Sequence, residues 1–361
     1  MFGIDVPIFA FSHCRDVVAA VSKAGGLGVL GAATITPEEL KLELEWLDAE
    51  LGDLPYGINV LMAAKFVEGS QEELERLIPD EHRRFVAGLE ERFHIPPLPE
   101  NAAPPTGIFG SIEFRGAPDI GLRSLEVAFE HNVKVMVSAL GPAPPELIER
   151  AHARGILVGG MVGAGRHAQK HVEAGADFVV AAGHEGAGHN SHISTMVLVP
   201  EVVDAVAPVP VLAAGGIANG RQIAAAFALG AEGVWTGSLW VACAESEFLP
   251  EQTQRVIDAG SHDTIETRSW SGKPTRFLRD KWNSAWEEPD APDPLPTPLQ
   301  RLLVAKAQHR IFNARMSEVM AVPIGEVVGQ ITSVRPVHEI IYRIVLEYGE
   351  AMERLAALSG E

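Results

Sequence analysis

The chain has 361 residues, about 2.4 times a typical 150-residue domain, so one large domain or a large domain with a smaller lobe is expected. Apolar residues at 47%, charged residues at 21% and a mean hydropathy of +0.10 supply a core and exclude a disordered chain, a collagen and a small disulfide scaffold. A formal charge of −19, from 29 Lys and Arg against 48 Asp and Glu, disfavours duplex DNA and anionic membranes as partners, but leaves room for a local phosphate site built from backbone N–H groups.

No basic segment precedes an apolar run near Met1, and no stretch long enough to span a bilayer is apolar throughout. With two cysteines, Cys14 and Cys243, the expectation is a reduced, soluble, cytoplasmic protein. Short apolar runs predict strands at Val6–Ala10, Leu27–Leu30, Tyr56–Leu61, Lys134–Ser138, Ile156–Gly160, Asp177–Ala182, Pro210–Ala214 and Gly233–Thr236. Most lack strict alternation, as strands covered on both faces do. Helical patterns lie between them, at Arg15–Lys23, Glu38–Glu50, Leu122–Glu130, Pro145–Ala153, Ala168–Glu173, Pro200–Val206 and Arg221–Leu229. "KAGG", "AHARGIL", "HVEAGAD" and "FALGAEG" each put a glycine where a left-handed helix cap would sit before the next strand. Eight such units predict an α/β (β/α)8 TIM barrel; an open doubly wound sheet is the rival, and the strand count favours closure.

Two regions break the rhythm. Residues 66–118 separate the third and fourth strands and include the proline-rich "IPPLPENAAPPTG"; they read as a solvated surface insertion or as a substrate cap. Residues 247–321 read as an inserted, mainly helical lobe containing the linker Glu287–Gln300. The final amphipathic pattern, Val337–Leu358, returns to the barrel. The barrel is thus expected over 1–246 and 322–361, with 247–321 inserted before the last helix.

Gly215 and Gly216 follow the seventh strand directly, and Gly237 and Ser238 follow the eighth. Those loops are the usual phosphate cradle of a barrel, where glycine lets an anion approach backbone N–H groups. After the sixth strand comes "GHEGAGHNSH". Its three histidines and Glu185 invite a metal reading, but their spacing matches no standard zinc motif. Ordinary polar loop histidines and a general base or hydrogen-bond donor, best placed at His189, are the other readings. Asn59, near the end of the third strand, suits the donor and acceptor edges of a ring system. Cys14 reads as a buried thiol rather than a nucleophile, because no paired base can be named.

The segments "VSKAGGLGVLG", "YGINV", "GHEGAGH", "AAGGIANGRQIAAAFALGA" and "WSGKPTRFLRDKW" together resemble the nitronate monooxygenase (2-nitropropane dioxygenase-like) family and the related FMN-dependent enoyl reductases. The resemblance implies an FMN-binding barrel with the phosphate on Gly215, Gly216, Ile217, Gly237 and Ser238. It adds Ala10, Phe11, Gly28, Asn59, Gly183 and Gly188 to the cofactor-binding set and makes His189 the catalytic base. No metal is implied. A small-molecule substrate, an alkyl nitronate oxidised with O2 as electron acceptor, and a homodimer are the matching expectations. The enzyme alternative is an NAD(P)H-dependent enoyl-thioester reductase; the non-enzyme alternative is a flavin-binding protein that has lost turnover. Departures from the family pattern occur at Phe9, Phe11, Ser12, Ala182, Asn190 and Leu239, in the substrate pocket and at the polar edge of the flavin rather than at the phosphate.

Overall fold

In the computed structural model, which describes every residue except 34, 61, 63–70, 103–117, 190 and 360–361, eight parallel strands close into a barrel in sequence order. They are β1 (Ile8–Ser12), β2 (Leu27–Gly31), β3 (Tyr56–Val60), β4 (Val135–Ser138), β5 (Leu157–Val162), β6 (Phe178–Ala182), β7 (Val211–Ala214) and β8 (Gly233–Thr236). Pairing of Ala10 with Thr236 joins the last strand to the first. All eight strands expected from the apolar runs are present, and closure rules out the open sheet; Leu61, placed at the end of the third, lies outside the described residues.

The missing alternation has a simple cause. Phe9, Phe178, Val180, Leu212 and Trp235 fill the barrel interior. The residues between them, such as Ile8, Ala10, Val179 and Ala181, pack against the surrounding helices. Both faces are apolar because both are covered. Phe2 closes the N-terminal end, meeting Phe9 and Phe178 edge-on with centroids 4.9 and 5.3 Å apart.

The helices that cover the wall are α1 (Arg15–Lys23), α2 (Pro37–Leu51), α5 (Pro118–Ala128), α6 (Pro145–His152), α7 (Gly165–Glu173), α8 (Thr195–Val206) and α9 (Gly220–Ala228), while α3 (Gln71–Arg76) and α4 (Asp80–Arg92), in the first insertion, pack on the later lobe. The four glycines expected as helix caps, Gly25, Gly155, Gly175 and Gly230, all have positive φ. Three helices, α5, α7 and α8, begin three to five residues earlier than their apolar patterns suggest. The α8 helix runs through Pro200, whose missing N–H costs only one bond, to the carbonyl of the exposed Met196.

In β5, adjacent glycines serve opposite faces. A Cβ at Gly159 would lie 2.3 Å from the Phe178 ring inside the barrel, and one at Gly160 would lie 1.9 Å from the His171 ring outside it. His171 is buried against that wall. Burial, with repulsion from His167 added, pulls its pKa down to about 4. The folded chain therefore binds fewer protons than the unfolded chain between about pH 4 and 6.5, so stability rises with pH across that window and is progressively lost on acidification. A His171→Gln variant should show a shallower fall in urea midpoint between pH 6.5 and 4.5 than the parent chain, the difference approaching about 2 kcal/mol near pH 4.5. Parallel pH dependences in the two proteins would remove His171 as the cause.

Beyond β8 the chain forms α10 (Pro250–Asp258), an antiparallel ribbon of β9 (Thr264–Thr267) and β10 (Thr275–Leu278), then α11 (Lys281–Ala285) and α12 (Leu299–Asn313). The expected lobe is largely helical, but the ribbon was not anticipated. The described part of the first insertion is not a solvated appendage. Val86 and Leu89 of α4 share a core with Trp270, Trp282, Trp286 and Ile311, and Arg310 of α12 pairs with Glu90 at 2.8 Å. Residues 66–70 and 103–117 of that insertion lie outside the described residues.

The last helix, α13 (Val337–Ser359), packs on α9 and α1. Gly220 is required there, because a Cβ would lie 2.0 Å from the Tyr348 backbone nitrogen. Val337, Ile341 and Ile344 are buried, whereas Val345 and Met352 are exposed.

Candidate active site

The loops at the C-terminal ends of β6, β7 and β8 converge with a fourth segment at Gly325. Gly215 and Gly216 have φ of +92° and +71°, a region that glycine enters without strain. A Cβ at Gly215 would lie 2.9 Å from the Gly183 carbonyl, and one at Gly325 would lie 2.5 Å from the Glu185 carbonyl. The N–H groups of Gly216, Ile217 and Ser238 donate to no backbone acceptor among the described residues. The Ser238 hydroxyl accepts the Gly325 N–H at 2.9 Å and keeps its own proton to donate. Clustered backbone donors, one hydroxyl and a surface closed to side chains are what a phosphate monoester requires. The residues implied for the FMN phosphate are thus brought together and fit that group.

Glu185 lies beside the cradle, its carboxyl carbon 3.8 Å from where a Gly216 Cβ would sit. Its carboxylate accepts the Thr195 N–H at 2.9 Å and the Thr195 hydroxyl at 2.8 Å, at the positive end of α8. Gly183 permits that clamp, since a Cβ there would lie 2.1 Å from the Thr195 hydroxyl.

His189 ends the same loop. Its Nδ1 lies 3.1 Å from the Pro274 carbonyl and 3.0 Å from the Thr275 hydroxyl. A carbonyl can only accept, so Nδ1 carries the proton and the lone pair of the neutral ring resides on Nε2. Desolvation lowers the His189 pKa, with Lys273 and Arg301 adding repulsion and the Pro274 carbonyl pulling the other way. The ring is therefore neutral, and able to accept a proton, over more of the pH range than an ordinary histidine.

Arg276, from β10, secures the loop. Its N–H donates to the Gly188 carbonyl at 3.2 Å, its Nε to the His184 carbonyl at 3.2 Å and one terminal nitrogen to His184 Nε2 at 2.8 Å. The guanidinium, buried within the protein, is balanced by Glu326 at 3.3 Å. His184 is thus held as a structural acceptor, and His192 is largely exposed beside Glu266. Among the described residues, no three His, Cys, Asp or Glu side chains are grouped to hold a metal ion.

Inside the mouth, Phe11 and Trp235 stack with centroids 6.0 Å apart, and a Cβ at Gly237 would lie 3.9 Å from the Phe11 ring. Asn59, buried at the end of β3, donates through Nδ2 to the Val137 carbonyl at 3.3 Å; its Oδ1 has no donor among the described residues. His13, which sequence reasoning passed over, stands beside Phe11 with Nδ1 2.9 Å from the Gly31 carbonyl, and burial lowers its pKa. Asn190 lies outside the described residues.

Two positions grouped with the cofactor face elsewhere. The Ala10 side chain packs among the wall-covering residues. Gly28 serves the α1 contact: a Cβ would lie 2.2 Å from the Val18 carbonyl oxygen, and its N–H donates to the Ser22 hydroxyl. The shared "GGLG" segment is therefore a packing device in this chain. Cys14 is buried and free, donates to the Glu245 carbonyl at 3.2 Å and is pushed up to about 11, mainly by burial, which makes it a thiol and not a nucleophile.

Comparison with known proteins gives the chain its family. The chain is 44% identical to Rv1533 of Mycobacterium tuberculosis, which carries the name of a monooxygenase, over 99% of this chain and 97% of that protein. It is 31% identical to an indene-carboxyl-CoA dehydrogenase of the same organism over 77% of this chain and 64% of that one. Among solved structures, nitroalkane oxidase from Streptomyces ansochromogenes superposes with a TM-score of 0.81 at 26% identity, covering 98% of both chains. A family model described as nitronate monooxygenase matches residues 7–347, and the chain belongs to that family.

Proposed function

We propose that the protein is an FMN-dependent oxidoreductase that oxidises alkyl nitronates with O2. The observation carrying this reading is that one short loop, Gly183–His189, borders the phosphate cradle at one end and presents a neutral, Nδ1-protonated histidine at the other. FMN, when bound, supplies an acceptor for the substrate's electron pair and a route for it to O2. The cradle of Gly215, Gly216, Ile217, Gly237 and Ser238 holds its phosphate. The stacked Phe11 and Trp235 support the ring side, with Asn59 Oδ1 as an acceptor at its polar edge. His189 Nε2 takes the α-proton of a neutral nitroalkane or orients a nitronate already formed. The 247–321 lobe covers the mouth, since its ribbon is bonded to the loop that ends in His189.

The relative acting on a CoA thioester supports a second reading, an NAD(P)H-dependent enoyl-thioester reductase in which His189 donates a proton. Anaerobic absorbance of the bound flavin separates the two. Bleaching by an alkyl nitronate without NAD(P)H is the expected result. Bleaching only by NADH or NADPH, followed by reoxidation with an enoyl thioester, would replace the first reading with the second. A flavin that answers to none of these would leave a binding protein.

A further inference from the structure

A second cavity of about 810 Å³ opens outside the barrel mouth, between α9, α13 and the segment 330–335. It adjoins the cradle from behind, because Ala218 and Leu239 in its wall directly follow Ile217 and Ser238. Its charge runs against that of the chain. Arg221, Arg335 and Arg343 line it with one carboxylate, Glu347, in a protein of net charge −19.

The charges are not matched within the wall. Arg335 pairs with Glu339, and the Glu347 carboxylate accepts the Gly220 N–H at 3.1 Å. Arg221 and Arg343 form no ion pair among the described residues. Two donors in the first turn of α9 are already engaged, the Gly220 N–H by Glu347 and the Gln222 N–H by Asn219 Oδ1 at 3.0 Å, and the preceding Ala218 N–H is taken by Gln222 Oε1 at 2.8 Å. Anion recognition therefore falls on the two guanidiniums rather than on the helix terminus. Apolar side chains, Ile331, Ile340 and Ile344 among them, supply the rest of the lining.

We propose that this cavity binds the diphosphate of an adenine-nucleotide-sized ligand, with Arg221 and Arg343 on the phosphoryl oxygens and the organic body on the isoleucine-rich wall. Guanidiniums fit phosphate oxygens in bidentate geometry, both side chains are exposed in the groove, and its volume is in the range of small-molecule pockets. The site is separate from the flavin cradle, and the inference holds whichever substrate reading is correct.

Calorimetry on the flavin-loaded protein tests it, with ADP, coenzyme A, NADPH, adenosine and inorganic phosphate as probes. Saturable one-site binding of ADP without flavin release is expected, with adenosine at least tenfold weaker. Tighter binding of coenzyme A or NADPH than of ADP would identify the nucleotide end of a coenzyme as the source; equal or weaker binding would identify a free nucleotide. An Arg221→Glu, Arg343→Glu double variant should lose about 30-fold or more in affinity with flavin content and flavin-reduction rate unchanged. An Arg→Gln pair gives the same comparison if charge reversal perturbs folding. Absence of saturable binding by ADP, coenzyme A and NADPH, binding indifferent to both double variants, or ADP binding that displaces flavin would each overturn the proposal.

Discussion

A His189→Ala variant is expected to retain its flavin while the rate of flavin reduction by a neutral nitroalkane falls by about 10²-fold or more, the range for loss of a general base. Retention follows from the fold: the cradle donors belong to Gly216, Ile217 and Ser238, and none of them depends on the imidazole. The rate loss follows from the tautomer. With Nδ1–H committed to the Pro274 carbonyl, Nε2 is the nitrogen able to take a carbon-bound proton, and alanine offers none. A preformed nitronate has already lost that proton, so its reduction should slow much less. The pH dependence has a definite sign. The base is the neutral form and its pKa is lowered, so activity on a neutral nitroalkane should rise along an acid limb centred below the ordinary histidine value and then level off. A flavin-loaded variant that reduces as fast as the parent would take His189 out of the mechanism. Equal losses on nitroalkane and nitronate would point to a damaged pocket instead.

Replacing Gly216 with valine should yield a colourless protein. Its φ of +71° is one that a β-branched residue adopts only under strain, and the new Cβ would lie 3.3 Å from the Glu185 Cβ. The strain costs about 1–3 kcal/mol, absorbed in a loop rather than in the wall, so circular dichroism should still report a folded barrel. The branched methyl groups crowd the N–H groups that face the phosphate, and flavin content after purification is expected to fall below about a tenth of the parent's. A folded variant purified with full flavin occupancy would show that the phosphate lies elsewhere.

The barrel was legible in the sequence because burial on both faces of a strand leaves dense runs of Val, Ile, Leu and Ala, and because glycines at helix ends mark each return to the sheet. The cradle was legible for a related reason. Paired glycines placed directly after adjacent strands have few other uses. The β9–β10 ribbon escaped because "TIET" and "TRFL" are short and half polar, and neither reveals its partner. Arg276 and His13 escaped, and Glu185 was weighed only as a metal ligand, because each acquires its role from a group elsewhere in the chain: the Gly188 carbonyl, the Gly31 carbonyl and the Thr195 N–H. Gly28 misled in the opposite direction. It entered the cofactor set through the resemblance alone, whereas its missing side chain makes room for the backbone of α1.

The seam between Gly188 and Arg276 divides the candidate site by its place in the chain. The glycine loops after β7 and β8 belong to the barrel itself, while the groups that hold His189 come from a ribbon that follows the eighth strand. A frame of this kind can exchange the ribbon, shift the histidine or open the mouth to a longer substrate while the phosphate anchor stays untouched. Substitutions that alter chemistry should therefore gather on one side of that seam and those that abolish pigment on the other, which gives protein engineering two separate dials on a single barrel.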